Sequence, residues 1–190
     1  MGKFKNAINN KIKNMKKVLW IVVALAIGIG GIYLFNYLTL IQPVLKTIDS
    51  DSRNTGIEFE LHYKNYVIPN VLVFNLKDVA DDKAVADVFR VLLQTTSVLK
   101  GKDFETIELA FKGTSKFKIK GMYFRELGKE YKTQNPVYTM RTFPENLLDM
   151  NGQSAYSEWT GGLLGVLNKQ MEDFNDFNKK WYLESLSKNH

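Results

Sequence analysis

Charged side chains are absent from residues 18–41, and every ionised side chain before them is a lysine. At about 1.5 Å per residue, such a run outreaches the roughly 30 Å hydrocarbon core of a bilayer. The pattern predicts a transmembrane helix over 18–41, with room for tilt. Beyond residue 56 the pattern changes to alternating periods of two and 3.6. Ile57, Phe59, Leu61 and Tyr63 alternate with Glu58, Glu60, His62 and Lys64, which predicts a half-buried strand. Residues 71–76 are more continuously apolar and read as a central strand. Asp81 or Asp82 then caps a predicted helix in which Val85, Val88, Phe89, Leu92 and Leu93 share one face, closing near Gly101.

Ile107, Leu109 and Phe111, the polar turn Gly113, Thr114 and Ser115, and then Phe117 and Ile119 describe a hairpin. Its outer lysines, Lys112, Lys116, Lys118 and Lys120, fit an edge kept soluble and unpaired. A short helix over 122–131 and a strand over 137–143, between Pro136 and Pro144, follow. The last helix is expected to begin near Thr160, with Leu163, Leu164, Leu167, Met171, Phe174, Phe177 and Trp181 along one stripe. The expected fold is α+β: a mainly antiparallel sheet packed on one face by two main helices, which bury stripes that would otherwise meet water.

Four segments result: a basic tail over 1–17, the membrane helix over 18–41, a stalk or loop over 42–56, and one domain over 57–190. The net charge of +6 equals the six tail lysines Lys3, Lys5, Lys11, Lys13, Lys16 and Lys17, so the rest of the chain is formally neutral. This is a topology signal and not the basic face of a nucleic-acid binder. The lysine excess places the N-terminus in the cytoplasm and the domain outside it. Phe4, Ile8, Ile12 and Met15 recur at helical spacing among the lysines, so the tail either lies along the anionic inner leaflet or only enforces topology. Ala24, Leu25 and Ala26 spell a small-residue cleavage pattern, but a cut there would strand residues 27–41 on the mature chain, so an uncleaved anchor is expected. Ala24 with Gly28, and Ala26 with Gly30, would let two such helices approach closely as a homodimer.

The chain has no cysteine and two histidines, His62 and the terminal His190. His62, among Glu58, Glu60 and Lys64, reads as part of a solvated strand face, because zinc and triad sites need two or more convergent partners. Asp49, Asp51 and Glu60 imitate a calcium loop, but Arg53 and Asn54 occupy positions that need an oxygen ligand and a glycine. Gly152, Gln153, Ser154, Ala155 and Tyr156 lack the closing glycine of a nucleophile elbow, and Gly161, Gly162 and Gly165 lack the lysine of a phosphate loop. No cofactor is implied, and a binding role is favoured over an enzymatic one.

One region is denser in aromatic and polar groups than a scaffold requires: Tyr131, Gln134, Asn135, Pro136, Tyr138, Arg141, Phe143, Pro144, Glu145 and Asn146, then Tyr156, Trp159, Thr160, Gly161 and Gly162. Tyrosine, tryptophan and arginine dominate binding hot spots, so Tyr138, Arg141, Tyr156 and Trp159 are the candidate partner-binding residues. The alternative is that the aromatics pack the sheet against the final helix while Arg141 pairs with Glu145. Gln134 to Thr139, Arg141 to Asn146 and Trp159 to Gly165 resemble blocks of uncharacterised bacterial single-pass membrane-anchored proteins. That resemblance covers the C-terminal third, implies an inner-membrane setting and carries over no activity. The expected function is an extracytoplasmic protein-binding domain on a bilayer anchor. Its alternatives are a domain that encloses a lipid or small apolar ligand, and an immunity protein against an extracytoplasmic toxin.

Overall fold

A computed structural model describes residues 2–187, with side chains from residue 13 onward apart from that of residue 163. The side chains of Lys3, Lys5 and Lys11, and all of His190, lie outside the described residues. The chain divides into two units, Met1–Phe35 and Asn36–His190.

The first unit is helical, within α1 (Gly2–Asn36). Its apolar side chains are exposed from residue 18 to residue 35, Trp20 at 72% and Ile27 at 70% among them. A helix that is apolar all round has no polar face to offer water. Among the described residues it is the one helix long and apolar enough to cross a membrane.

The second unit starts inside the apolar run. Asn36 and Leu40, then Val44 and Ile48, are buried at four-residue spacing across the π-helical turn Tyr37–Ile41 and α2 (Gln42–Ile48). Residues 42–56, expected as a stalk or loop, instead hold α2 and the 3-10 turn Ser52–Asn54. The polar run after α2 turns inward: the Asn54 carboxamide donates to the Ile48 carbonyl (2.9 Å) and to Gln94 Oε1 (2.8 Å).

Among the described residues, five strands form one mixed sheet in the order β1-β2-β3-β4-β5. They are β1 (Ile57–Lys64), β2 (Ile68–Val79), β3 (Thr106–Phe111), β4 (Thr114–Lys120) and the short β5 (Leu147–Leu148). All neighbours are antiparallel except β2 and β3, which run parallel because α3 (Val85–Leu99) carries the chain between them. The three-residue β1–β2 connection places Asn65 and Tyr66 at positive φ, and the two-residue β3–β4 turn does the same with Lys112 and Gly113, the backbone that tight hairpin turns use. Helix α3 begins after Ala84 rather than at Asp81 or Asp82, and the Asp87 carboxylate accepts the Ala84 N–H at 2.9 Å.

Register puts Leu61, Phe74 and Leu109 on one face, with Tyr63, Leu72 and Ile107 beside them. This face carries the core. α3 adds Val88, Phe89 and Leu92, α4 (Gly121–Glu130) adds Phe124 and Leu127, and α6 (Leu163–Asn178) adds Phe174 and Phe177. Trp181 follows in the π-helical turn Lys179–Leu183, stacked on Phe177 at 5.3 Å, and the chain closes with α7 (Glu184–Leu186). The opposite face is polar, with Glu108 held between Lys64 (2.5 Å) and Ser115 (2.8 Å).

The strand expected over 137–143 is a helix, α5 (Pro136–Thr142). Asn135 caps it by accepting the Val137 N–H at 2.9 Å, and Pro136 stands at the first turn, where its missing N–H costs nothing. Thr139 and Phe143 are buried four residues apart while Val137 and Tyr138 are exposed, a helical distribution.

Candidate functional site

Glycine sets how closely α4 lies on α3. A Cβ on Gly128 would stand 2.3 Å from the Thr96 carbonyl oxygen, so the two backbones meet where any other residue would force them apart. α5 then turns away after the 131–135 loop, and the three helices leave a cleft of about 350 Å³. Its floor is apolar: Ala86, Phe89 and Leu93 from α3, Leu127 from α4, Pro136 and Met140 from α5. Arg53, Arg90, Glu130, Tyr131 and Gln134 form the rim.

The arginine side of that rim is a fixed network. Arg53 forks onto Asp51, Nε to Oδ1 at 2.8 Å and Nη2 to Oδ2 at 2.7 Å. Arg90 donates to Asp87 (2.8 Å), to Asn54 Oδ1 (3.2 Å) and to the Arg53 carbonyl (3.0 Å). Gln94 adds a bond to Asp51 at 3.1 Å. The Arg53 hydrogen bonds hold the Asp51 carboxyl well below the usual carboxylate range, against its partial desolvation. Burial alone would raise Asp87, but the Ala84 amide and Arg90 outweigh it and lower it. These arginines are therefore matched by their own carboxylates, which leaves no anion site there.

A second groove of about 310 Å³ adjoins the first and shares Leu127, Glu130, Gln134 and Thr139 with it. Tyr123, Glu126, Tyr138, Thr142, Glu145 and Asn146 complete it. The Tyr123 phenol is pushed above its ordinary value, first by burial and then by the charges of Glu126, Glu130 and Glu145.

Of the four residues singled out from sequence, Arg141, Tyr156 and Trp159 bond to α6, and Tyr138 joins them through Arg141. Arg141 lies over the Tyr138 ring at 5.7 Å and donates to Gln170 Oε1 at 3.1 Å, while Gln170 donates to Glu145 at 2.7 Å. Arg141 and Glu145 are thus bridged by Gln170. Tyr156 donates to Asp176 at 2.9 Å, and Trp159 Nε1 donates to Asp173 at 2.6 Å, with Lys180 and Lys169 over the two rings. Burial, with Asp176 next, raises the Tyr156 phenol. Tyr156 and Trp159 therefore strap the segment before α6 onto that helix. Tyr138 is 47% exposed and lines the second groove.

Sequence reasoning named Tyr131, Gln134 and Pro136 but missed Arg53 and Arg90. The available signal was the spacing Asp51-x-Arg53 and Asp87-x-x-Arg90, which pairs charges locally. No family model matches the chain, and neither a curated protein nor a solved structure is similar to it. The functional reading rests on the residues and their geometry.

Proposed function

We propose that this chain is a single-pass membrane protein, N-terminus in the cytoplasm, whose second unit binds another protein outside it through the cleft between α3, α4 and α5. The observation that carries the reading is the form of that cleft, an apolar floor inside a polar rim on the outer side of packed helices. Such a floor accepts the apolar side chains that anchor an interface, and the rim excludes water around them. The residues on it supply one carboxylate, Glu130, one amide, Gln134, two arginines and the hydroxyls of Tyr131 and Thr139, of which Thr139 donates to the Asn135 carbonyl. With no nucleophile held against a base among the described residues, binding is favoured over catalysis.

Enclosure of a ligand between α3 and α6 is disfavoured by the aromatics that fill that space. Phe89 meets Phe143 at 4.9 Å and Phe174 at 5.2 Å, and Phe143 meets Phe177 at 5.3 Å. The cleft volume itself supports a second reading, a small apolar molecule, because small-molecule sites start near about 300 Å³.

Photocrosslinking separates the two. A photoreactive residue in place of Met140 is expected to give protein adducts in intact cells, and one in place of Lys116, on the far hairpin, is not. Equal labelling at both positions, or none at Met140, would overturn the protein-binding reading. Adducts to small molecules alone would move it to the second.

A further inference from the structure

The two joined grooves differ in chemistry, and that difference specifies the partner. We infer that the segment they bind is a basic amphipathic helix, its apolar side chains seated on Phe89, Leu127 and Met140 and its lysines or arginines lying over Glu126, Glu130 and Glu145. The inference rests on the reading of the cleft as a protein-binding site.

Charge complementarity carries it. Three carboxylates border the second groove, and neither a lysine nor an arginine lines it. Among the described residues Glu126 and Glu130 have no ion pair, and Glu145 has a neutral partner in Gln170. The cations nearby are otherwise placed. Arg125 and Lys129 share a third depression with Glu126 and Glu130, but Arg125 is bound to Asp103 at 2.6 Å and neither cation forms an ion pair with those glutamates among the described residues; Arg141 is held by Gln170 and the Tyr138 ring.

The apolar half adds the second requirement. Phe89 and Leu93 are four apart on α3, and Leu127 faces them from α4. A helix presenting apolar anchors at i, i+3 or i+4, and i+7 fits such a floor while its flanking positions reach the shared Glu130. An acidic helix would bring its charges to the same three glutamates and be repelled.

The test uses the full chain in nanodiscs of zwitterionic lipid and two fluorescent helical peptides. Both carry leucine on one face; the other face is lysine in one and glutamate in the other. Empty discs and the cleft-filling variant Ala86→Phe give the lipid background. The lysine peptide is expected to bind above that background, while the glutamate peptide does not. Joint substitution of Glu126, Glu130 and Glu145 by Gln is expected to weaken it about tenfold, as a few partly exposed ion pairs would. High salt should weaken the wild-type interaction similarly.

Equal binding of both peptides overturns the basic partner while leaving the protein-binding reading to the Met140 adducts. So does an unchanged affinity in the triple Gln variant. Binding of neither peptide also overturns it, and the adducts again decide the broader reading independently. The Gln substitutions lie at exposed or half-buried positions, so they test the inference even if Ala86→Phe fails to fold.

Discussion

Asn36 stands in the middle of an apolar run, yet it is 2% exposed within the second unit. Its carboxamide accepts the Tyr63 N–H at 2.8 Å and donates to the Tyr66 carbonyl at 2.9 Å. It does for the end of β1 what another strand would do, and it clamps the turn that holds Asn65 and Tyr66 at positive φ. Asn36→Leu, similar in branching but larger, removes both bonds and leaves the buried Tyr63 N–H and the part-buried Tyr66 carbonyl without them. A loss of about 1–3 kcal/mol in stability is expected, read by denaturant unfolding. Asp51, Asp87 and Glu108 predict how stability depends on pH. All three carboxyls are lowered in the folded chain: Asp51 chiefly by Arg53, and Asp87 and Glu108 by hydrogen bonds that outweigh burial. A depressed folded value means the stabilisation is fully present above the unfolded carboxylate range, near about pH 4, and is lost as pH falls through the folded values. Melting temperature should therefore fall on acidification below that range, and Asp51→Asn should flatten part of the fall.

At the scale of elements, the contact between α3 and α4 shapes the cleft, and Gly128 makes that contact. Gly128→Ala would place its methyl against the Thr96 carbonyl, so the helices must separate. A destabilisation of about 1–3 kcal/mol is expected from such overpacking, together with loss of Met140 adducts if the cleft changes shape. The cap of α5 offers a milder test. Asn135→Ala removes the bond to the Val137 N–H and should cost about 1 kcal/mol. Elements with a clean period were legible in the sequence: β1 from its alternation, α3 from its stripe, and the β3–β4 hairpin from its polar turn. α5 was not, because Val137, Thr139, Arg141 and Phe143 can be read at period two, while Thr139 and Phe143 are equally an i, i+4 pair. Here Asn135 and Pro136 were the better guide, since a capping residue followed by proline starts helices. The cleft was illegible for another reason. Arg53, Phe89, Leu127 and Met140 come from four elements far apart in sequence, and tertiary packing alone, Gly128 on α3 and Arg90 on the Arg53–Asn54 turn among its contacts, brings them together.

For the molecule as a whole, orientation is the first thing to establish, and the absence of cysteine makes it easy to read. Single substitutions Lys13→Cys and Lys116→Cys give the only thiol in each variant. A membrane-impermeant maleimide is expected to label the Lys116 position in intact cells and the Lys13 position only after lysis. The reverse pattern would move the proposed partner to the cytoplasm. The boundary at Asn36 bears on the membrane too. Positions 36, 40, 44 and 48 are buried in the folded unit while Tyr37 and Leu38 stay exposed, so in the proposed anchor the unbroken run of exposed and uncharged residues is 18–35. At about 1.5 Å per residue they cover about 27 Å, slightly under the mean hydrocarbon thickness of about 30 Å. A helix of that length has little slack, so a thicker bilayer must thin around it or gather copies together to limit the hydrophobic mismatch. If 18–35 forms the proposed span, the burial of Asn36 limits its length, and lipids of longer acyl chain are expected to drive clustering that shorter ones do not.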